Sequence, residues 1–300
     1  MTLSFAGHET FIIREGWLHK GLALLNEDPK VLAGPDAADH LGVGQNMAKS
    51  IRHWLAVCGL ALRGEKKADP LSLSPFGQLV WEKDPYFLLP GTWWAVHSEL
   101  VRNPKAGAWF WFFNHFAQQR FERAVSIEKL AQFLKLHQTR MPSRTTLERD
   151  ISCLLRCYAA EIPSKPEDPE DGNDCALREL GLLQHYPSSG FYQRTSVQDG
   201  IPPELIGYVI ASTHPEASLG SEKIDLRLDL LATTPGGIAS VTQNFTESLY
   251  ALLRNSEDGA ASLQLVGQAA ERALRIQSRA PLEWLQDYYA RIDQDERYAA

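Results

Sequence analysis

The chain has 300 residues, 44% hydrophobic and 22% charged, with a formal net charge of -7. That length allows two or three domains, and the composition is that of a globular protein whose core forms without covalent staples. The acidic balance speaks against a uniformly basic nucleic-acid coat, but net charge hides distribution. Within 161–174, Glu161, Glu167, Asp168, Glu170, Asp171 and Asp174 face only Lys165. Outside that span the chain is close to neutral, so local basic faces remain available.

Cys58, Cys153, Cys157 and Cys175 form no C-x-x-C pair, and three of them lie in apolar helical patterns. A reducing compartment fits this usage better than a disulfide framework. The opening MTLSFAGHETF lacks the basic-then-apolar order of a signal peptide. No stretch approaches the roughly 18 apolar residues of a membrane span, so a cytoplasmic protein is expected.

In chain order, Phe11, Leu18, Leu22 and Leu25 predict a helix over 11–26, ended by Asn26, Asp28 and Pro29. A short helix over Asp36–His40, an LGVG turn and a longer helix over Gln45–Val57 follow. Met47, Ile51, Leu55 and Cys58 share one face of the longer helix. Gln45, Asn46, Lys49, Arg52 and His53 share the other. Leu60–Arg63 and Leu71–Ser74 predict a hairpin whose tip carries Lys66 and Lys67, and a helix starts at Pro75. This order is that of a winged helix-turn-helix, with the hairpin placed to meet a phosphate backbone.

Residues 91–123 hold Trp93, Trp94, Trp109, Phe110, Trp111, Phe112, Phe113 and Phe116 on two helices. Aromatics on all sides of a helix predict a core rather than a base-stacking platform. The winged order then recurs. A helix over Ile127–Leu136 leads to a second long helix over Arg144–Tyr158, N-capped by Ser143. It buries Leu147, Ile151, Leu154, Leu155 and Tyr158 and exposes Arg144, Thr145, Glu148, Arg149 and Arg156. Leu182–Tyr186 and Phe191–Thr195 flank PSSG, a hairpin signal, and Pro203–Ser212 predicts a helix.

A third, weaker recurrence has helices over Ile224–Leu231 and Thr242–Arg254 around a TTPGG turn. In the second of these, Gln243, Asn244, Glu247 and Ser248 face outward. Leu263–Val266 and Ala273–Ile276 suggest a hairpin, though one helix over 262–277 fits too, and Pro281–Ile292 is a terminal helix. The long helices begin at equal intervals, near Gly44, Ser143 and Thr242. The expected fold is mostly α with short β-hairpins, in tandem winged helix-turn-helix units. The expected divisions are an N-terminal unit at 1–90, an aromatic-rich segment with a second unit at 91–215, and a C-terminal segment at 216–300.

A recognition helix needs polar and basic side chains on its outer face near its N-terminus. Gln45, Asn46, Lys49, Ser50, Arg52 and His53 meet that need on the first long helix, with Lys66 and Lys67 on the wing. Arg144, Thr145, Arg149 and Arg156 meet it on the second, where Glu148 and Asp150 reduce the positive potential. A solvated helix face is the plainer reading of both.

Catalytic and metal signatures are lacking. His8-Glu9 does not extend to H-E-x-x-H, because Ile12 stands where the second His would be. Cys153 and Cys157, one helical turn apart, have no His partner, and buried thiols behave as small apolar groups. LGVGQNMAKS lacks the P-loop spacing, and no G-x-S-x-G elbow occurs. No enzyme and no cofactor are expected.

FAGHETFIIREGWLHKG at 5–21, LGVGQNMAKSIRHWLAVCGL at 41–60, LSLSPFGQLVWEKDPY at 71–86, WFFNHF at 111–116 and SRTTLERDISCLLRCY at 143–158 resemble an uncharacterised bacterial protein family. Its members are often encoded beside phosphoadenosine-phosphosulfate-reductase-like enzymes, in clusters linked to DNA phosphorothioation and phage defence. The resemblance covers about the first two thirds of the chain and transfers no catalytic residues. It implies a setting in which a neighbouring enzyme does the chemistry and this protein supplies DNA contact or assembly. In the family's GHET segment, Glu9 or Thr10 is expected to cap the following helix. The expectation is therefore a double-stranded-DNA-binding accessory protein. The alternative is a protein-interaction scaffold for the modifying enzyme, favoured by the net charge and the acidic 161–174 span.

Overall fold

A computed structural model describes residues 2–64, 69–137, 141–162, 175–197, 200–257, 262–267 and 271–299. The first helix, α1 (Trp17–Glu27), starts six residues later than the apolar spacing suggests. Gly16 precedes it at φ 72, a left-handed conformation that a continuous helix excludes. Ile12 and Ile13 are buried before the helix begins, so their apolar character reflects tertiary contact and not helical period.

Asp28 caps α2 (Pro29–Ala33) by accepting from Lys30 N at 2.8 Å. After α3 (Ala37–Leu41), Gly42 turns the chain at φ 64 into α4 (Gln45–Val57), whose bounds are those the sequence predicts. The expected hairpin also forms. β1 (Ala61–Arg63) and β2 (Leu71–Leu73) pair antiparallel, Ala61 opposite Leu73. Its tip, with Lys66 and Lys67, lies outside the described residues. Ser74 caps α5 (Pro75–Lys83) through Gly77 N at 2.8 Å.

The aromatic segment is core, as the all-round distribution predicts. On α6 (Pro90–Arg102) and α7 (Gly107–His115), Trp94, Trp109, Phe110, Trp111, Phe112 and Phe113 are buried. Trp54, Trp109 and Phe112 are among the largest fully buried side chains. Burying such a ring contributes roughly 2–3 kcal/mol.

β3 (Arg120–Glu122), α8 (Arg123–His137), α9 (Arg144–Tyr158), β4 (Ala159–Glu161), β5 (Leu183–Tyr186) and β6 (Phe191–Arg194) follow. Ser143 caps α9 through Thr146 N at 3.1 Å, as expected. The β5–β6 hairpin is also as expected, but it sits inside a four-stranded sheet of order β3-β6-β5-β4 in which β4 runs parallel to β5. β3 and β4 have three residues each, too few for a period to show.

The chain divides into two compact units, Met1–Thr195 and Ser196–Ala300, where divisions at 90 and 215 were expected. The second unit holds α10 (Pro203–Thr213), β7 (Lys223–Arg227), α11 (Leu228–Thr233), α12 (Ile238–Thr242), α13 (Thr246–Glu257), β8 (Leu263–Val266), β9 (Ala273–Gln277) and α14 (Pro281–Ala299). Its core forms where α10 crosses α14. A Cβ on Gly207 would lie 2.2 Å from the Trp284 ring, so only glycine permits the approach.

Several expectations fail in this unit. Lys223–Arg227 is a strand, not the start of a helix over Ile224–Leu231, because Leu226 pairs opposite Leu274 of β9. A short apolar run does not fix its own period, and the partner strand decides it. The helix expected over Thr242–Arg254 is two helices, broken at Gln243 with φ 54. Gln243 and Asn244, expected outside, are buried; Asn244 Nδ2 donates to Thr242 Oγ1 at 2.9 Å and to Val197 O. The third long helix thus begins at Thr246, and the equal spacing disappears. The β8–β9 hairpin excludes the single helix over 262–277.

Among the described residues the protein is mostly helical with three small sheets, and no helix is long and apolar enough to cross a membrane.

Candidate nucleic-acid interface

Helix α4 presents a narrower polar face than its sequence suggests. Gln45, Asn46 and Lys49 are exposed. Lys49 Nζ donates to Asn46 Oδ1 at 3.1 Å, and Gln45 Nε2 to Pro35 O at 3.3 Å. Ser50 and His53, expected beside them, are buried and are not available to a ligand on that face. The N-terminal segment covers them: Ser50 Oγ donates to His8 O at 2.9 Å. Burial, with His8 and Arg63 nearby, pushes the His53 pKa down to about 3, so His53 is neutral at ordinary pH. Arg52 is half-buried, and its pKa is lowered by burial and then by Arg63. Its Nε has no hydrogen-bond partner among the described residues.

The covering segment is the GHET loop, held between α4 and α9. Ala6, Glu9 and Thr10 all have positive φ, at 64, 50 and 74. Each such non-glycine residue costs roughly 1 kcal/mol or more, so the surrounding contacts must fix the conformation. From α9, both carboxylate oxygens of Asp150 accept from Ala6 N at 3.1 Å, and Cys153 Sγ donates to Phe11 O at 3.4 Å. From α4, Trp54 Nε1 donates to Phe11 O at 3.3 Å.

Inside the loop, His8 Nδ1 accepts from Thr10 N at 3.0 Å. The neutral ring therefore carries its proton on Nε2, which lies 3.2 Å from Asp150 Oδ1. That approach is off the N–H direction, so Nε2 makes a close electrostatic contact and not an aligned hydrogen bond. His8 and Asp150 are each about 2% exposed. The rings of Trp54 and Trp109 pack on His8 with centroids 6.0 and 5.7 Å away. Glu9 and Thr10 thus cap no helix. Asp150, expected to weaken the positive field of α9, faces inward and holds the loop through the Ala6 amide.

Gly7 is required here. A Cβ would lie 2.3 Å from two atoms of the buried His53 ring. Gly7→Ala is expected to lower stability by about 1–3 kcal/mol through overpacking. An unchanged thermal midpoint would show that the ring can move aside.

The outer side of α9 carries the strongest constellation. Thr145, Glu148, Arg149, Ser152 and Arg156 follow one stripe of the helix. With Thr10 and Arg123 they line an open concavity of about 260 Å³. Arg149 and Arg156 are exposed and have no ion-pair partner among the described residues. Arg123 Nη1 donates to Ser152 Oγ at 3.0 Å. The one lining acid, Glu148, is paired at 3.0 Å with Arg144, which lies outside the concavity. The positive end of the α9 dipole, with no acid in its first turn, adds to the field at Thr145.

Of the residues expected on α9, the structure therefore brings Thr145, Arg149 and Arg156 together and leaves Arg144 aside. Thr10, Arg123 and Ser152 were not among the residues expected, although Ser152 shares the helical stripe of Thr145, Arg149 and Arg156. Thr10 is distant in the chain, and Arg123 joins only through the approach of α8 to α9. Three guanidinium groups and three hydroxyls around one hollow suit a phosphate or another tetrahedral oxyanion.

No group of three or more His, Cys, Asp or Glu among the described residues could hold a metal ion. All four cysteines are free and buried. Burial raises the Cys58, Cys157 and Cys175 pKa values well above the usual thiol range, which keeps them protonated and unreactive.

No curated protein matches the chain. Two solved structures are similar to it over 96% of its length and 88% of theirs. One is described as magnesium ion-bound SspB, at 26% identity and a TM-score of 0.79. The other is described as SspB, at 25% identity and a TM-score of 0.77. The chain matches a family over residues 5–289, well beyond the first two thirds that carry the sequence motifs, and so belongs to the family described as protein of unknown function DUF4007.

Proposed function

We propose that this protein contacts double-stranded DNA as an accessory component of a bacterial DNA-modification and phage-defence system, and that a partner enzyme does the chemistry. The arginine concavity on α9 carries this reading. It offers guanidinium donors that phosphate oxygens can reach, since Arg149 and Arg156 are exposed. Gln45, Asn46 and Lys49 on α4 supply a second polar face of the kind that reads base edges. In this reading α4 and α9 are the recognition helices of winged helix-turn-helix units, and Lys66 and Lys67 belong to the first wing. The setting, with a phosphoadenosine-phosphosulfate-reductase-like enzyme as the expected partner, rests on the family resemblance.

The reading is tested by fluorescence anisotropy of a labelled duplex over a salt series. If each concavity arginine neutralises one phosphate, log K against log salt should fall with a slope near about -3. Lys49→Glu is expected to weaken binding by roughly 5–10-fold through lost attraction and new repulsion, equally across sequences if Lys49 meets phosphate. No binding at low salt would refute DNA contact and leave the scaffold reading, to be pursued by pull-down of the partner enzyme.

A further inference from the structure

The GHET loop combines three features that a simple connector does not need. It has three left-handed non-glycine residues, a buried histidine–aspartate pair, and one exposed end, Thr10, at the lip of the arginine concavity. Three of the five left-handed non-glycine residues among the described residues lie in the stretch that delivers Thr10. The same α9 helix supplies both sides of the arrangement. Asp150 points inward to hold the loop, while Arg149 and Ser152, on either side of it in the sequence, face the hollow that the loop borders.

We propose that Thr10, Thr145, Arg149, Ser152 and Arg156 form one discrete phosphodiester site, and that the buried His8–Asp150 pair is its positioning element. The inference rests on the DNA-contact reading for the source of the phosphate, and on the geometry alone for the site. His8 accepts the Thr10 amide through Nδ1 at 3.0 Å, which fixes the backbone of the residue whose hydroxyl borders the hollow. Asp150 fixes the other end of the loop through Ala6 N. A mobile Thr10 would have to be ordered on each binding event; a loop clamped between two helices presents it already ordered. Glu148, the single lining acid, is held by Arg144 and does not repel the ligand at full strength. The ligand class is a tetrahedral oxyanion ester. Its natural source is the backbone of duplex DNA, and free phosphate shares the chemistry without the duplex.

The test uses the full chain and two probes, a labelled duplex and inorganic phosphate, with sodium chloride at matched ionic strength as control. Phosphate is expected to displace the duplex at several-fold lower ionic strength than chloride. Thr10→Val removes one hydroxyl from an exposed residue without touching the core. It should weaken duplex binding about 5-fold and abolish the advantage of phosphate over chloride. His8→Leu removes the acceptor and should do the same, whereas His8→Asn, which can still accept the Thr10 amide, should restore binding. Leu22→Ala, a core change distant in role, serves as a stability control that lowers the melting temperature but keeps the phosphate advantage.

Wild-type behaviour of both Thr10→Val and His8→Leu, alongside weakened binding by Arg149→Ala, would overturn the positioning role and leave DNA contact intact. Phosphate binding lost in Thr10→Val, with no duplex binding by the wild type, would support the site and sink the DNA-contact reading. Displacement by phosphate and chloride at equal ionic strength would overturn the site.

Discussion

Replacing Arg149 and Arg156 together by glutamate is expected to lower duplex affinity by at least about 100-fold at low salt. The two guanidinium groups are exposed, unpaired among the described residues, and border the same hollow as Thr145 and Ser152. A hydrogen bond from a charged donor contributes about 1.5–3 kcal/mol, so two lost contacts alone account for that factor before repulsion is added. The salt slope should also fall by about 2, at roughly 0.9 per phosphate no longer neutralised. The fold should be unaffected, because neither side chain is part of the core. Arg144→Glu is the matched control. Arg144 is exposed and already paired with Glu148 outside the hollow, so its reversal should weaken binding far less. Equal losses from Arg144→Glu and from the double variant would mean that only general surface charge matters, and the concavity would lose its special status.

The second large effect is an acid-induced loss of stability traceable to His53. The ring is buried, and its folded pKa, about 3, lies below the ordinary 6.5. Burial is the first cause, followed by His8 and Arg63. The unfolded chain therefore binds a proton between those values that the folded chain refuses. Stability from this group is complete above pH 6.5 and is lost as pH falls toward 3. Each tenfold difference in proton affinity is worth about 1.4 kcal/mol, so the loss attributable to His53 should reach about 2 kcal/mol at pH 5.

Urea unfolding at pH 7 and pH 5, followed by tryptophan fluorescence, reads this directly, because seven of the eight tryptophans lie in the Met1–Thr195 unit with His53. His53→Gln should reduce the pH dependence by that amount, while also lowering stability at pH 7. A variant with the same pH dependence as the wild type would show that His53 titrates near its ordinary value in the folded protein. The same ring sets the requirement for Gly7, so the acid response and the Gly7→Ala effect should change together if His53 is replaced by a smaller side chain.

The DNA-contact reading gains from where the acids are as much as from where the bases are. Glu148 is engaged by Arg144, so one of the two acids that weaken the α9 pattern is offset by a cation outside the hollow. The overall charge of -7 does not oppose this. Attraction to a phosphate decays within about 10 Å at ordinary salt, and the local constellation decides it.

Helices with a strong apolar stripe and a clear start signal were legible in the sequence. The bounds of α4 and α9 follow from the spacing of Ile51 and Leu55, of Leu147, Ile151 and Leu154, and from the Ser143 cap. The two hairpins β1–β2 and β5–β6 were legible too, since turn residues separate short apolar runs. The aromatic density of 109–116 announced a core. These features depend on local sequence, where each residue's preference and its neighbours at three or four positions agree.

The tertiary structure alone decided the rest. Whether Lys223–Arg227 is strand or helix depended on β9, about fifty residues later. Ser50 and His53 look like members of a polar helix face, because period alone cannot show that a loop from the N-terminus lies over them. The helix expected over 11–26 starts only at Trp17, because Ile12 and Ile13 are buried without being helical and period alone cannot tell the two apart. The candidate site was half legible for the same reason. Thr145, Arg149 and Arg156 share one helix and could be read from its spacing. Thr10, Arg123 and the inward role of Asp150 come from separate segments, and only packing brings them to one place.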